Sequence, residues 1–284
     1  VSPRLRADLT LLLVAVIWGS AFAAQRVVAV TGAVFIFNGL RFLLGALAIY
    51  PFARKRPWPK GSQWWAVLLA GALLFVAAAL QQAGMRTTTA ANAGFFTGLY
   101  VVFVPFLLWT GWREQPTWLL LVSVFLAAGG AYLLSTGGET FRLHPGDELE
   151  LLGAVFWACH VVVVGKFAPR LDALAFSVGQ FAVCGVLNLA VGVVTEPFDG
   201  AILRSFMWPL LYTGLLSVGI GYTLQVWAQR FTPATHAALI LSAETVLAAL
   251  FGYLLLGETL TAFQLAGCVS ILAGIVLAQV KVVR

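Results

Sequence analysis

The sequence predicts an all-α integral membrane protein of ten transmembrane helices arranged as two inverted five-helix repeats. Three observations predict it. The first is composition: the 284 residues are 61% hydrophobic and only 10% charged, with mean hydropathy +0.95. A soluble domain carries about 25% charged residues, so this chain cannot cover a water-facing surface. The second is punctuation: turn-forming residues divide the chain into apolar stretches near the ~20 residues that span a bilayer as helix. The third is recurrence: residues of the first half reappear in order in the second.

The apolar segments run roughly over 8–25, 33–53, 63–83, 88–109, 117–135, 149–167, 173–195, 207–228, 234–256 and 262–280. Pro57, Pro59, Pro116, Gly137-Gly138, Pro145, Pro169, Pro197 and Gly257 separate them. Unpaired backbone groups are not tolerated in lipid, so each segment is expected to be helical. The segments are too long and too uniformly apolar for outer-membrane strands, which are short and alternate. Thr261-Ala-Phe-Gln264 has the form of a capping box opening the tenth. Arg4 and Arg6 followed by an apolar run to Ala21-Phe22-Ala23 also fit a cleavable leader. Recurrence of a related segment mid-chain favours a retained first span.

Charge sets an expected orientation. If both termini lie on one side, that side holds 12 Lys and Arg, the other holds Arg26, Arg86, Arg142 and Arg204, and Arg41 lies within a span. The positive-inside rule then places both termini in the cytoplasm of a multi-pass inner (plasma) membrane protein. The densest basic run, Arg54 to Lys60, is a short link beside the bilayer, so the net charge of +6 does not mark a nucleic-acid partner. Cys159, Cys184 and Cys268 lie in apolar runs without metal-site or disulfide spacing and read as small apolar fillers.

The internal repeat is ordered. Ala15-Val-Ile-Trp18 matches Ala154-Val-Phe-Trp157 at an offset of 139, as do Phe37 with Phe176 and Phe42 with Phe181. After a longer loop the offset becomes 144, pairing Gln81 with Gln225, Arg86 with Arg230, Thr88 with Thr232, Glu114 with Glu258, Thr117 with Thr261 and Gly130 with Gly274. The halves are expected to be 1–140 and 141–284. An odd number of spans per half makes the second half enter the membrane from the opposite side, an architecture suited to alternating access.

Ionisable side chains within a bilayer are costly and tend to be functional. Glu244, near the middle of the ninth segment, reads either as a proton-coupling or ammonium-binding carboxylate or as a hydrogen-bonded helix joint. Arg41 reads as a side chain snorkelling to the interface, or as a partner of a carbonyl or acid, a substrate carboxylate included. His160 shares a helix face with Trp157, and His236 starts the ninth segment near the interface. Asn92, Phe96 and Tyr100 recur every four residues, while Tyr222, Gln225 and Gln229 follow i, i+3, i+7. With Gln81, these groups read as helix–helix glue or as the wall of a cavity for an amphipathic solute. Glu114 and Glu258, each near a capping threonine, mark span ends. Gly129-Gly130, Gly267 and Gly274 suit close helix packing. The chain has no phosphate-binding GxxxxGK[ST] loop, no HExxH, no GxSxG and no TVGYG-like filter.

Trp18-Gly19-Ser20, Arg41-Phe42, the stretch Asn92-Ala-Gly-Phe-Phe through Pro105, and Leu239 through Phe251-Gly-Tyr-Leu-Leu-Leu-Gly-Glu258 with Gly267 and Gly274 together resemble the EamA-type, ten-helix members of the drug/metabolite transporter superfamily. The resemblance covers essentially the whole chain. Glu244-Thr245 departs from it, because many members carry a proline near this point. The resemblance implies a secondary transporter, an exporter of small metabolites such as amino acids or related amphipathic solutes. A passive channel or facilitator and an integral membrane enzyme remain the alternatives. Trp18, Gln81, Asn92, Phe96, Tyr100, Trp157, His160, Tyr222, Gln225 and Glu244 are the expected substrate-binding residues. The expected partners are a small-molecule substrate and the lipid bilayer, with proton coupling and without a cofactor or a metal.

Overall fold

The computed structural model describes residues 2–29, 31–88, 90–140, 142–197, 199–256 and 259–280. In chain order the helices are α1 (Pro3–Ala29), α2 (Val34–Ala53), α3 (Trp64–Gly84), α4 (Ala90–Gly98), α5 (Tyr100–Trp112), α6 (Trp118–Thr136), α7 (Asp147–Phe167) and α8 (Ala173–Thr195). The short α9 (Gly200–Ser205) precedes α10 (Met207–Tyr212), a π-helical stretch (Thr213–Tyr222) and α11 (Thr223–Ala228). Then come α12 (Ala234–Leu241), α13 (Ala243–Leu256) and α14 (Ala262–Ala278). No strand occurs among the described residues.

Among the described residues, eight helical spans are long and apolar enough to cross a membrane, and α14 is a shorter apolar helix. The eighth segment falls outside that set because its helix is interrupted by the π-turns from Thr213 to Tyr222. Burial is that of a membrane protein: Leu9, Leu13, Phe125 and Val194 face outward, while Asn38, Gln82, Ser177, Gln180 and Asn188 are enclosed. Exposed Trp64, Trp65, Trp109, Trp112 and Trp118 cluster at the start of α3, the end of α5 and the start of α6. Tryptophan collects at membrane–water interfaces because the ring is apolar and its N–H is wet.

Local chemistry explains several boundaries. Thr117 accepts from Leu120 N at 3.3 Å and starts α6. Thr261 and Gln264 form the expected reciprocal box at 2.9 and 3.2 Å, and α14 begins there. Asp172 accepts from Leu174 N and Ala175 N at the start of α8. α2 has no cap of its own. Glu196, from the end of α8, instead accepts from the N–H groups of Val34, Phe35 and Ile36 at 2.8 to 3.1 Å. A carboxylate there also complements the positive end of the helix dipole.

The fourth and ninth segments, expected to be continuous, are each broken. The fourth breaks at Leu99 and the ninth at Ser242. Ser242 Oγ donates to Leu239 O at 2.7 Å, and Thr245 Oγ1 donates to Ser242 O at 2.8 Å. Such local bonds compete with the helical ladder. Glu244 therefore lies in the first turn of α13. Glu114 forms an ion pair with Lys166, Glu258 lies outside the described residues, and the three cysteines are free thiols.

Helices at equivalent places in the two halves pack on each other: α2 on α8 and α6 on α14. A Cβ on Gly130 would lie 2.6 Å from Gly267 O, and one on Gly274 would lie 2.6 Å from Ser123 O. Ser123 with Gly267 and Gly130 with Gly274 are repeat equivalents at the offset of 144, so this is one contact made twice. Gly130→Leu is expected to destabilise the protein by about 1–3 kcal/mol through overpacking. Its thermal unfolding midpoint in detergent should fall, whereas Gly129→Leu, with nothing within 4 Å of a new Cβ, should leave the midpoint unchanged.

Candidate functional site

A cavity lies between the halves, with about 550 Å³ of space not filled by protein atoms, open solvent included. Its centre is aromatic. Tyr222 ends the π-helical stretch, which widens the helix and carries this ring toward α1 and α7. Its ring centroid lies 4.6 Å from Trp18 and 6.1 Å from Trp157, His160 and Phe181. Trp18 Nε1 donates to Ser217 O at 3.2 Å, fixing α1 against the π-helical stretch. Phe42 closes the cluster at 5.9 Å from Tyr222 and 6.3 Å from its own repeat equivalent, Phe181.

Polar groups interrupt this apolar wall. Arg41 is only 3% exposed. Its Nη1 donates to Gln25 Oε1 at 2.7 Å, and its guanidinium stands 5.3 Å from the Phe37 ring and 5.2 Å from Phe42. It faces the cavity, so the snorkelling expectation is corrected: neighbouring rings and an amide hold the cation inward. Glu244 lines the same cavity and accepts from Tyr100 OH at 3.4 Å. Tyr100 and Glu244 are separated by 144, so one repeat position supplies both partners. Gln81 Nε2 donates to Thr97 Oγ1 at 3.1 Å, and Thr97 Oγ1 donates to Glu150 Oε2 at 3.1 Å. Glu150 is 1% exposed, and its Oε1 is without a hydrogen-bond partner among the described residues.

Trp18, Gln81, Tyr100, Trp157, His160, Tyr222, Gln225 and Glu244 all line this cavity. Asn92 and Phe96 do not. Asn92 Nδ2 donates to Asp147 Oδ2 at 3.0 Å and to Arg142 O at 3.0 Å, and the Phe96 ring lies 5.1 Å from Phe95. A four-residue spacing precesses about 40° per step around a helix, and the break at Leu99 ends the face those residues share with Tyr100. Thr97, three residues before Tyr100, takes the wall position. Gln229 likewise turns away and donates to Val161 O at 2.9 Å. His160 is held by Gln180 Oε1 at 2.9 Å, and His236 bonds Ala278 O at 3.1 Å. Sequence reasoning missed Phe22, Gln25, Thr97, Val161, Ser217 and Leu241 on the wall.

The EamA-like transporter family model matches the chain twice, over residues 5–136 and 144–279. The chain belongs to the EamA-like transporter family. Among relatives of this EamA-like protein, an uncharacterized transporter of Archaeoglobus fulgidus is 31% identical over 98% of this chain and 87% of its own length. The threonine/homoserine exporter RhtA of Salmonella typhimurium is 26% identical over 53% of this chain and 50% of its own. A solved crystal structure superposes with a TM-score of 0.78 at 17% identity, covering 96% of this chain and 95% of that one, which shows the shared fold. This EamA-like protein is thus a multi-pass membrane transporter and not an enzyme.

Proposed function

We propose that this EamA-like transporter exports small amphipathic solutes, amino acids foremost, across the inner membrane. It does so by alternating access between two inverted halves, residues 1–140 and 141–284, with both termini cytoplasmic. The observation that carries this reading is that equivalent residues of the two halves meet on one cavity wall, Trp18 with Trp157 and Gln81 with Gln225. A cavity built from both halves changes its exposure when they rock against each other. The rings of Trp18, Trp157 and Tyr222 suit an apolar side chain or an ammonium face, while Arg41 and Glu244 offer opposite charges to a zwitterion's ends. The exporter name of one distant relative supports the direction of transport. The 12 to 4 asymmetry of basic residues supports the orientation.

The test is transport in proteoliposomes of a radiolabelled amino-acid panel, each compound with and without an imposed proton gradient. Saturable counterflow of at least one compound is the expected result. Flux that never saturates would replace the carrier with a passive channel. Silence across the panel would remove amino acids as the substrate class.

A further inference from the structure

We propose that two Asp–Thr hydrogen bonds, Asp8–Thr232 and Asp147–Thr88, are the paired gates of the transport cycle, one at each face. The proposal rests on the alternating-access reading above. Thr232 Oγ1, in the link between α11 and α12, donates to Asp8 Oδ1 at 2.7 Å. Thr88 Oγ1, in the link between α3 and α4, donates to Asp147 Oδ1. Asp8 and Asp147 are separated by 139, and Thr88 and Thr232 by 144. These are the two offsets of the internal repeat, so the same hydrogen bond is made twice.

Each bond joins one half to the other. Asp8 of the first half binds Thr232 of the second, and Asp147 of the second binds Thr88 of the first. Following the chain through its alternating spans, the start of α1 and the end of α11 fall on one face. The end of α3 and the start of α7 fall on the other. The cavity lies between the two bonds at equal depth: Trp18 is ten residues along α1 from Asp8, and Trp157 is ten residues along α7 from Asp147. At 1.5 Å per residue each bond stands about 15 Å from its tryptophan. Parting the halves at either face must break the bond there and can leave the other made.

The surroundings of the two bonds differ. Arg4 Nε donates to both oxygens of Asp8 at 2.9 and 3.0 Å. Asp147 Oδ2 instead accepts from Asn92 Nδ2 at 3.0 Å and from the His144 backbone N–H at 2.7 Å. Asn92, which does not line the cavity, thus has a place in this scheme, bracing the second gate. Its repeat equivalent, His236, packs instead against Ala278 O.

The experiment uses the full chain with Cys159, Cys184 and Cys268 replaced by alanine and a reporter cysteine at Val161 on the cavity wall. A membrane-impermeant thiol reagent is applied to sealed vesicles of each orientation. Asp8→Ala should raise labelling from the Asp8 face at least fivefold and lower it from the opposite face. Asp147→Ala should do the reverse. Thr232→Val and Thr88→Val, which remove only the hydroxyl, should shift labelling in the same two opposite directions and serve where an aspartate variant does not fold. Equal labelling changes at both faces, or none in any variant, would overturn the gate proposal. Labelling confined to the same single face in the parent and in all four variants, with or without transported solute, would instead overturn alternating access, so the two failures are distinguishable. Lower yield or melting temperature without a directional shift would mark the bonds as structural and also overturn the proposal.

Discussion

Glu244→Gln should cut proton-driven accumulation at least tenfold while leaving counterflow of the same solute in place. Among the described residues Glu244 is the one carboxylate on the cavity wall, and its one hydrogen bond there is long, 3.4 Å from Tyr100 OH. Glutamine keeps the volume and can still accept from the phenol, but it cannot take up and release a proton. A tenfold loss corresponds to about 1.4 kcal/mol. Counterflow needs no net proton movement, so its survival separates coupling from binding and from folding. Unchanged accumulation with an unchanged pH profile would move the coupling role to Glu150, which reaches the cavity through Thr97 and Gln81. Glu150→Gln would then be the variant to measure.

Tyr222→Ala should raise the KM for transport at least tenfold, and Tyr222→Phe should leave it within about threefold. Among the described residues, five aromatic side chains have ring centroids within 6.1 Å of Tyr222: Trp18, Phe42, Trp157, His160 and Phe181. Each such pair is worth about 0.5–1.5 kcal/mol beyond area burial, so removing the ring loosens the whole wall against which a solute packs. The phenylalanine variant keeps the ring and loses only the hydroxyl, which makes no hydrogen bond among the described residues. A KM raised equally by both variants would shift the interaction from the ring to the hydroxyl. Thermal melting of both proteins in detergent distinguishes a weakened wall from a weakened fold.

Much of the fold was legible because lipid leaves a simple signal. Helix limits followed from apolar length and from breakers, and the Thr261–Gln264 cap could be read from its spacing. Most of the cavity was legible for a second reason: Trp18 with Trp157, and Gln81 with Gln225, stand out through the internal repeat. Periodicity alone was less reliable. It placed Asn92 and Phe96 beside Tyr100, but the fourth segment breaks at Leu99, directly after Gly98, and a lone glycine in an apolar helix serves packing as often as it ends a helix. Thr97 and Ser217 were missed because a small hydroxyl residue in an apolar helix serves equally well as packing. Asp147 and Glu150 carry no sequence signal that sets them apart from other acids near a span end, yet both are 1% exposed. Their burial depends on α3 and α4, elements distant in sequence that fold over the start of α7.

Tyr100 and Glu244 occupy one repeat position and hydrogen-bond to each other. Two identical five-helix chains assembled as a symmetric pair could not build this contact. They would bring together either two phenols, with no acid, or two carboxylates, which repel when both are ionised. A single acid facing a single phenol requires the copies to differ, and encoding both in one polypeptide lets them do so. Joining the halves in one gene therefore permits a division of labour at the axis that a homodimer is denied by its own symmetry.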